Sequence, residues 1–219
     1  MSYQVIVFDW DGTLYDSAAY IVDCIQWTAK ALQIKVPHQR EICNVIGLSL
    51  EEAIKRAIPD LSSENVPSFK QKLYECISQE QFVKPTLFAG TEEILKQLSE
   101  TGYWLAIATG KSRMSLENDL TSINLYSYFM TTKCADETFS KPHPQMLIEI
   151  IDELGVEPQQ VLMIGDSEYD MQLAANANVD ALAVNYGVHD EERLLLGSHV
   201  KGCLSDIREL PNWLIESIN

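Results

Sequence analysis

An α/β fold, a doubly wound parallel sheet carrying an inserted all-helical unit, is the architecture this sequence predicts. Three observations predict it. From Gly90 onward, apolar strand-like runs and amphipathic helical segments take turns. From residue 15 to 86 only helical periodicity occurs. Ahead of both stands one isolated apolar run, Val5-Ile6-Val7-Phe8. Alternating helices and strands imply right-handed crossovers and parallel pairing, and the isolated strand should join that sheet. The expected units are a core of residues 1–14 and 87–219 and a helical insertion of residues 15–86. The hinges would lie near Leu14-Asp16 and Lys84-Ala89.

Each element has its own signal. Val5–Phe8 is β-branched at three of four positions, which suits a fully buried strand. From Ser17 to about Gln33, Ile21, Ile25, Thr28 and Leu32 recur at three- and four-residue spacing, with Asp16 or Ser17 as N-cap. Pro37 opens a helical stretch, HQREICNVIG, that Gly47 can end. Ser49 followed by Glu52 reads as a capping box for SLEEAIKRAI, closed by Pro59. Residues from about 62 to 81 read as one or two further helices. Beyond Gly90 the order is a helix in GTEEILKQLSETG, a strand in YWLAIAT, a helix in SRMSLENDLTSINL and a short strand in FMTTKC. A helix in HPQMLIEIIDELGV, a strand in QVLMIGD, a helix in EYDMQLAANANV and a strand in DALAVN follow.

Composition narrows the function. The 219 residues are 46% hydrophobic and 22% charged, enough for a real core in one large domain or a core with an insertion. The net charge is -16, which repels nucleic acid and anionic membranes, so neither is an expected partner. It would also repel a phosphorylated substrate, so an anion site here needs local cations or a metal. Cys24, Cys43, Cys76, Cys134 and Cys203 are odd in number and scattered without a C-x-x-C, as expected of reduced thiols. The N-terminus lacks a basic region ahead of an apolar stretch, and no apolar run is long enough to span a bilayer. The expectation is a cytoplasmic protein, a monomer or weak homodimer.

The chain is organised around FDWDGTLYDS. Asp9 and Asp11 follow the first strand one residue apart, and Gly12 allows a tight turn. Ligands of open α/β sheets bind beyond the carboxyl ends of the strands, where these acids fall. Two acids so close repel unless a cation or a shared proton relieves them, and Mg2+ prefers oxygen ligands. The plainer alternative is a strand-ending turn with solvated acids. Three more strand-end fragments carry polar residues: Thr109-Gly110, Lys141 in SKPHP, and Asp166 with Asp170 in GDSEYD. Each has a plain reading too. Thr109-Gly110-Lys111 could be a turn with a helix cap, and Lys141 a solvated loop residue. Asp166-Ser167 could be an N-cap, with Asp170 a charge favoured in a first helical turn. Their joint placement at strand ends, in this order, is what favours a site.

DWDGT, TGK, SKP and GDSEYD, in that order, closely resemble the four signature motifs of the haloacid dehalogenase-like hydrolase superfamily. The helical insertion after the first strand resembles the C1-type cap of its first subfamily. IGLSLEEAI in the cap and AVNYGV near the last strand extend the likeness to phosphoglycolate phosphatase-like members. The resemblance implies a Rossmann-like core and a covalent aspartyl-phosphate route, which splits one difficult hydrolysis into two easier steps. It assigns Asp9 as nucleophile and Asp11 as general acid/base. Mg2+ would be held by Asp9, the main-chain carbonyl of Asp11 and Asp166, with Asp170 behind them. Thr109, Gly110 and Lys141 would bind phosphate oxygens or balance the acids, and Gly12 would let the backbone approach the phosphate.

The resemblance also ranks reactions. Dehalogenases and phosphonate hydrolases lack an acid at the position of Asp11, so Asp11 points to phosphate esters. Sugar-phosphate mutases carry a His where Ile21 aligns and an Arg near Leu50, which argues for hydrolysis. The implied substrate is a small phosphorylated metabolite, with 2-phosphoglycolate the leading name and a sugar phosphate or nucleotide monophosphate behind it. A non-catalytic phosphate-binding protein on the same fold is the rival from another class. Lys111 could assist an anionic substrate or cap a helix. Tyr20, Trp27 and Arg56 read better as packing or solvated residues than as specificity residues. His38, His143, His189 and His199 have no metal-ligand spacing.

Overall fold

A computed structural model describes residues 3–77, 82–197 and 199–217. Its elements, in chain order, begin with β1 (Val5–Phe8), β2 (Tyr15–Asp16), α1 (Ala18–Ala31), α2 (Gln39–Cys43), α3 (Leu50–Ala57), α4 (Val66–Ile77) and β3 (Thr86–Leu87). The alternating half holds α5 (Thr91–Glu100), β4 (Trp104–Thr109), α6 (Arg113–Ser122), β5 (Phe129–Cys134), α7 (Gln145–Leu154), β6 (Val161–Gly165) and α8 (Glu168–Asn176). The chain ends with β7 (Asp180–Val184), α9 (Glu191–Leu194), β8 (Val200–Leu204) and α10 (Leu210–Glu216).

Six strands form one sheet in the order β5-β4-β1-β6-β7-β8, every pair parallel. The α/β, doubly wound expectation holds, and the isolated first strand takes a central place. β1 pairs residue for residue with Trp104–Ile107 on one side and Val161–Ile164 on the other. Its side chains alternate between layers, as a period of two requires. Ile6 and Phe8 join Leu105, Ile107, Leu162 and Ile164 in one apolar cluster. Val5 and Val7 join Ala106, Ala108, Val161 and Met163 in the other. All four β1 side chains are fully buried, each worth about 1.5–3 kcal/mol. That burial fixes where Asp9, the next residue, emerges.

Helices α1–α4 pack on one another around a third cluster that includes Val22, Ile25, Ile54, Phe69 and Leu73. Ser49 caps α3 by accepting from the Glu52 amide at 3.4 Å. The stretch HQREICNVIG is helical only over Gln39–Cys43; turns then lead to Gly47, whose φ is +98°. In the segment from 62 to 81 a short 3-10 turn over Ser63–Asn65 leads into α4, and residues 78–81 lie outside the described residues.

One expectation needs correcting. Residues 15–86 were expected to hold no strand, yet β2 and β3 form a two-residue antiparallel ladder, Tyr15 opposite Leu87 and Asp16 opposite Thr86. Two-residue strands leave no period to read; the ladder exists because the chain leaves and re-enters the core side by side. Elements after Asn185 also went unpredicted. β8 is an edge strand with Lys201 and Gly202 inside it and lacks an apolar run.

Candidate active site

The carboxyl ends of β5, β4, β1 and β6 lie side by side, from one edge of the sheet to its centre. Asp9 follows β1, Thr109 ends β4, Asp166 follows β6, and the loop after β5 brings in Lys141. Asp9, Asp166 and Asp170 are fully buried and each offers an oxygen within 4.8 Å of the others. Lys141 is buried with them; its Nζ lies 2.8 Å from Asp9 Oδ1 and 2.6 Å from Asp170 Oδ1. A solvated loop lysine is thereby ruled out. Three buried carboxylates face one buried ammonium.

Each acid is held differently. Asp9 Oδ1 accepts from the Trp10 amide at 2.7 Å as well as from Lys141, while Asp9 Oδ2 is buried with no hydrogen-bond partner among the described residues. Asp166 Oδ1 accepts from the Thr13 hydroxyl at 2.9 Å, and Oδ2 from the Val188 amide at 2.8 Å. Asp170 spends one oxygen on Lys141 and the other on the amide and hydroxyl of Ser167, at 3.1 and 2.6 Å. Ser167 and Asp170 form the capping box of α8, so the helix-cap reading and the site reading of Asp170 coincide. Burial pushes Asp9 well above the usual carboxylate range, against the pull of Lys141. Burial first, and the charge of Asp170 second, raise Asp166 to about 7. For Lys141, burial favours the neutral amine, but Asp170 and Asp9 outweigh it and raise the ammonium's pKa. An all-oxygen cluster with excess negative charge and an orphaned buried oxygen fits a hard divalent cation such as Mg2+.

Asp11 faces away from this cluster. Its carboxylate accepts from the Ser17 hydroxyl at 2.7 Å and from Lys111 Nζ at 3.1 and 3.2 Å. Lys111 also pairs with Asp119 Oδ2 at 3.2 Å, and Asp119 accepts from the Trp10 indole at 3.1 Å. Ser17 occupies the N-cap of α1, yet its hydroxyl serves Asp11 instead of the helix. As a metal residue, Asp11 therefore offers its main chain at most.

The glycines have reasons beyond the expected ones. Gly12, at φ +86°, would put a Cβ 2.1 Å from Asp166 Oδ2, so the buried Asp166 carboxylate itself requires a glycine here. Gly110 would put a Cβ 2.3 Å from the Leu48 carbonyl of the helical insertion. Gly187 would meet Asp166 at 2.3 Å. Nothing in the sequence flagged Ser17, Thr13 or Gly187 beyond local signals, because each reaches the site through a loop. We expect Gly187→Ala to displace Asp166 and cut turnover at least about tenfold while secondary structure by circular dichroism persists. Full activity would show that the loop yields freely.

The insertion closes over these groups. The Tyr169 hydroxyl donates to the Asn44 carbonyl at 2.9 Å, Arg193 to Asn44 Oδ1 at 3.0 Å, and the Ser49 amide to Ser140 Oγ at 2.8 Å. Of the residues set aside in the insertion, Arg56 pairs with Glu52 and lies over the Tyr169 ring, and Trp27 packs beneath Lys72. Tyr20 does line the cavity under the insertion. Among the histidines, His189 is buried; its Nδ1 accepts from the Glu168 amide at 3.0 Å.

The model of the haloacid dehalogenase-like hydrolase family matches residues 6–184, which takes in Asp9, Asp11, Thr109, Lys141, Asp166 and Asp170. The chain belongs to that family. Among relatives, the probable phosphatase IndB of Dickeya dadantii is 32% identical over 87% of this chain and 84% of its own. A phosphoglycolate phosphatase of Psychrobacter arcticus is 28% identical over 85% of each chain. The pyrophosphatase PpaX of Halalkalibacterium halodurans is 26% identical over 88% of each. A crystal structure of a haloacid dehalogenase-like hydrolase from Bacteroides fragilis superposes with a TM-score of 0.88, at 27% identity, over 95% of this chain and all of that one. The superfamily resemblance of the four motifs thus extends along the chain, with phosphoglycolate phosphatases among the relatives. Within the described residues no helix is long and apolar enough to cross a membrane.

Proposed function

We propose that this family member is a Mg2+-dependent phosphatase that hydrolyses a small phosphorylated metabolite through an aspartyl-phosphate on Asp9. One observation carries the reading: Asp9 lines the cavity beneath the helical insertion, yet keeps a buried oxygen without a partner amid two further acids and a buried lysine. A phosphate-binding scaffold needs no such arrangement, and burying unpaired charge is costly. The names of the relatives support a phosphatase, with 2-phosphoglycolate and pyrophosphate as named candidates.

Mg2+ would be held by Asp9, the main-chain carbonyl of Asp11 and Asp166, with Asp170 behind, and when bound would neutralise charge on the phosphoryl group. Asp9 attacks phosphorus while Asp11 gives its proton to the departing alkoxide, whose bond to phosphorus breaks. Asp11 then takes a proton from water, whose oxygen attacks the acyl phosphate, releasing phosphate and restoring Asp9. Lys141 holds Asp9 in line, and Thr109 and Gly110 bind phosphate oxygens. Residues 15–86 act as a cap that opens at the β2–β3 ladder and closes to exclude water. The reading includes a cytoplasmic protein, monomeric or weakly dimeric, in keeping with five unpaired cysteines. Nucleic acid and membranes are left out as partners by the net charge of -16.

Hydrolysis of p-nitrophenyl phosphate that depends on added Mg2+ and stops with a chelator is the expected result; its absence would leave the scaffold reading standing. Asp166→Asn should weaken Mg2+ binding at least about tenfold, because the carboxamide keeps the shape but loses the charge. Unchanged Mg2+ affinity by calorimetry would remove Asp166 from the ligand set.

A further inference from the structure

We propose that the leaving group this site accepts is an uncharged, mainly apolar alcohol or phenol. The inference rests on the phosphatase reading above and names its substrate class. Between the strand ends and helices α1–α4 lies a cavity of about 500 Å3, within the range usual for small-molecule sites. Its floor is polar, with Asp9, Asp11, Thr109 and Lys111. Its roof is not. Ile21 and Ile25 of α1, Val45, Leu50, and Leu73 and Ile77 of α4 line it. Four-residue spacing puts each helical pair on one face, so the apolar roof is written into the sequence of the insertion.

Among the described residues two lysines line the cavity. Lys111 is shared between Asp11 and Asp119. Lys84, at the edge, donates to the Ile77 carbonyl at 2.6 Å and to the Tyr20 hydroxyl at 3.1 Å, and lies over the Tyr20 ring. Among the described residues no arginine lines the cavity; Arg56 of the insertion is turned to Glu52 and Tyr169. A carboxylate or second phosphate on the leaving group would enter an apolar roof whose lysine, Lys84, stays at the exposed edge on neutral partners, and burying a charge away from that edge is strongly unfavourable. A sugar meets a related difficulty. Its hydroxyls would leave water to face isoleucine and leucine side chains, and each unmade hydrogen bond costs. Above the polar floor, the polar side chains are Tyr20 and Tyr74 of the insertion and Ser112, Ser115, Asn118 and Ser122 at the α6 wall; the Tyr20 hydroxyl donates to the Ile77 carbonyl and the Ser112 hydroxyl to Ser115.

The test is kcat/KM with Mg2+ for ethyl, n-butyl and 2-phenylethyl phosphate, 2-phosphoglycolate and glucose 6-phosphate. Acetyl phosphate serves as a small activated control. Each further buried methylene should raise kcat/KM about fourfold. Butyl phosphate should therefore exceed ethyl phosphate roughly fifteenfold and 2-phenylethyl phosphate should exceed it further. 2-Phosphoglycolate and glucose 6-phosphate should do no better than ethyl phosphate. A flat or undetectable ester series, or either polar substrate ahead of 2-phenylethyl phosphate, overturns the inference. Failure to turn over acetyl phosphate as well would instead sink the phosphatase reading. In Ile25→Arg, a cation in the roof should shift the ratio of 2-phosphoglycolate to 2-phenylethyl phosphate at least tenfold toward the acid. A ratio within one preparation does not depend on how much of it is folded. An unchanged ratio contradicts the roof's role, and if the variant does not fold, the wild-type series decides.

Discussion

Asp9→Asn should abolish turnover, by at least about 10,000-fold, as loss of a covalent nucleophile does elsewhere. The carboxamide is nearly isosteric, so the Trp10 amide and Lys141 can still reach the oxygen they now share. What disappears is the charge that, in the proposed mechanism, attacks phosphorus and attracts the cation. Stability should move the other way. Burial already pushes Asp9 well above the usual carboxylate range, so the folded protein bears the strain of an ionised group it would sooner neutralise. In the absence of metal, Asp9→Asn should melt no lower than the parent at neutral pH. Loss of activity with an unchanged or higher Tm separates chemistry from folding; comparable turnover would remove Asp9 as nucleophile.

Asp11→Asn should behave differently, and the leaving group reveals how. Asp11 stands outside the buried cluster, with Ser17 and Lys111 holding its carboxyl in one orientation. The substitution leaves Asp9, Asp166 and Asp170 in place, and Lys111 keeps Asp119. General acid help contributes about 100- to 10,000-fold when the leaving group is poor and little when it is good. Single-turnover phosphorylation by an alkyl phosphate should therefore slow by that factor, while p-nitrophenyl phosphate, whose phenolate leaves without a proton, should slow far less. Steady-state rates would blur the contrast, since dephosphorylation needs the same group for every substrate. Equal losses in the phosphorylation step would give Asp11 a structural role only.

Much of this site could be read in the chain because its acids hang on strands whose apolar runs are unambiguous. Val5–Phe8 and Val161–Ile164 pair in register, so placing the strands places Asp9 and Asp166. Lys141 was legible as a motif and not as a buried residue, since a lysine in a proline-rich loop gives no sign of full enclosure. The supports of the site were harder to see. Thr13, Ser17 and Gly187 act across the fold, Gly187 through a contact with Asp166 that only the folded loop creates. The β2–β3 ladder and the edge strand β8 escaped for a related reason, because pairing and not local pattern makes them strands. The helical insertion was legible as helices, while its apolar roof became a statement about substrates only once the cavity placed Ile21, Ile25, Leu73 and Ile77 opposite Asp9.

The central claim is that phosphate passes through Asp9. The direct measurement is to quench the Mg2+-loaded enzyme in acid during turnover of a substrate labelled in its phosphate, then reduce the trapped acyl phosphate with borohydride. Sequencing by mass spectrometry should find homoserine at position 9 and nowhere else, and no label on Asp9→Asn. Homoserine at another acid, or inversion of configuration at a chirally labelled phosphorus, which one direct attack by water gives and two successive displacements do not, would contradict the account.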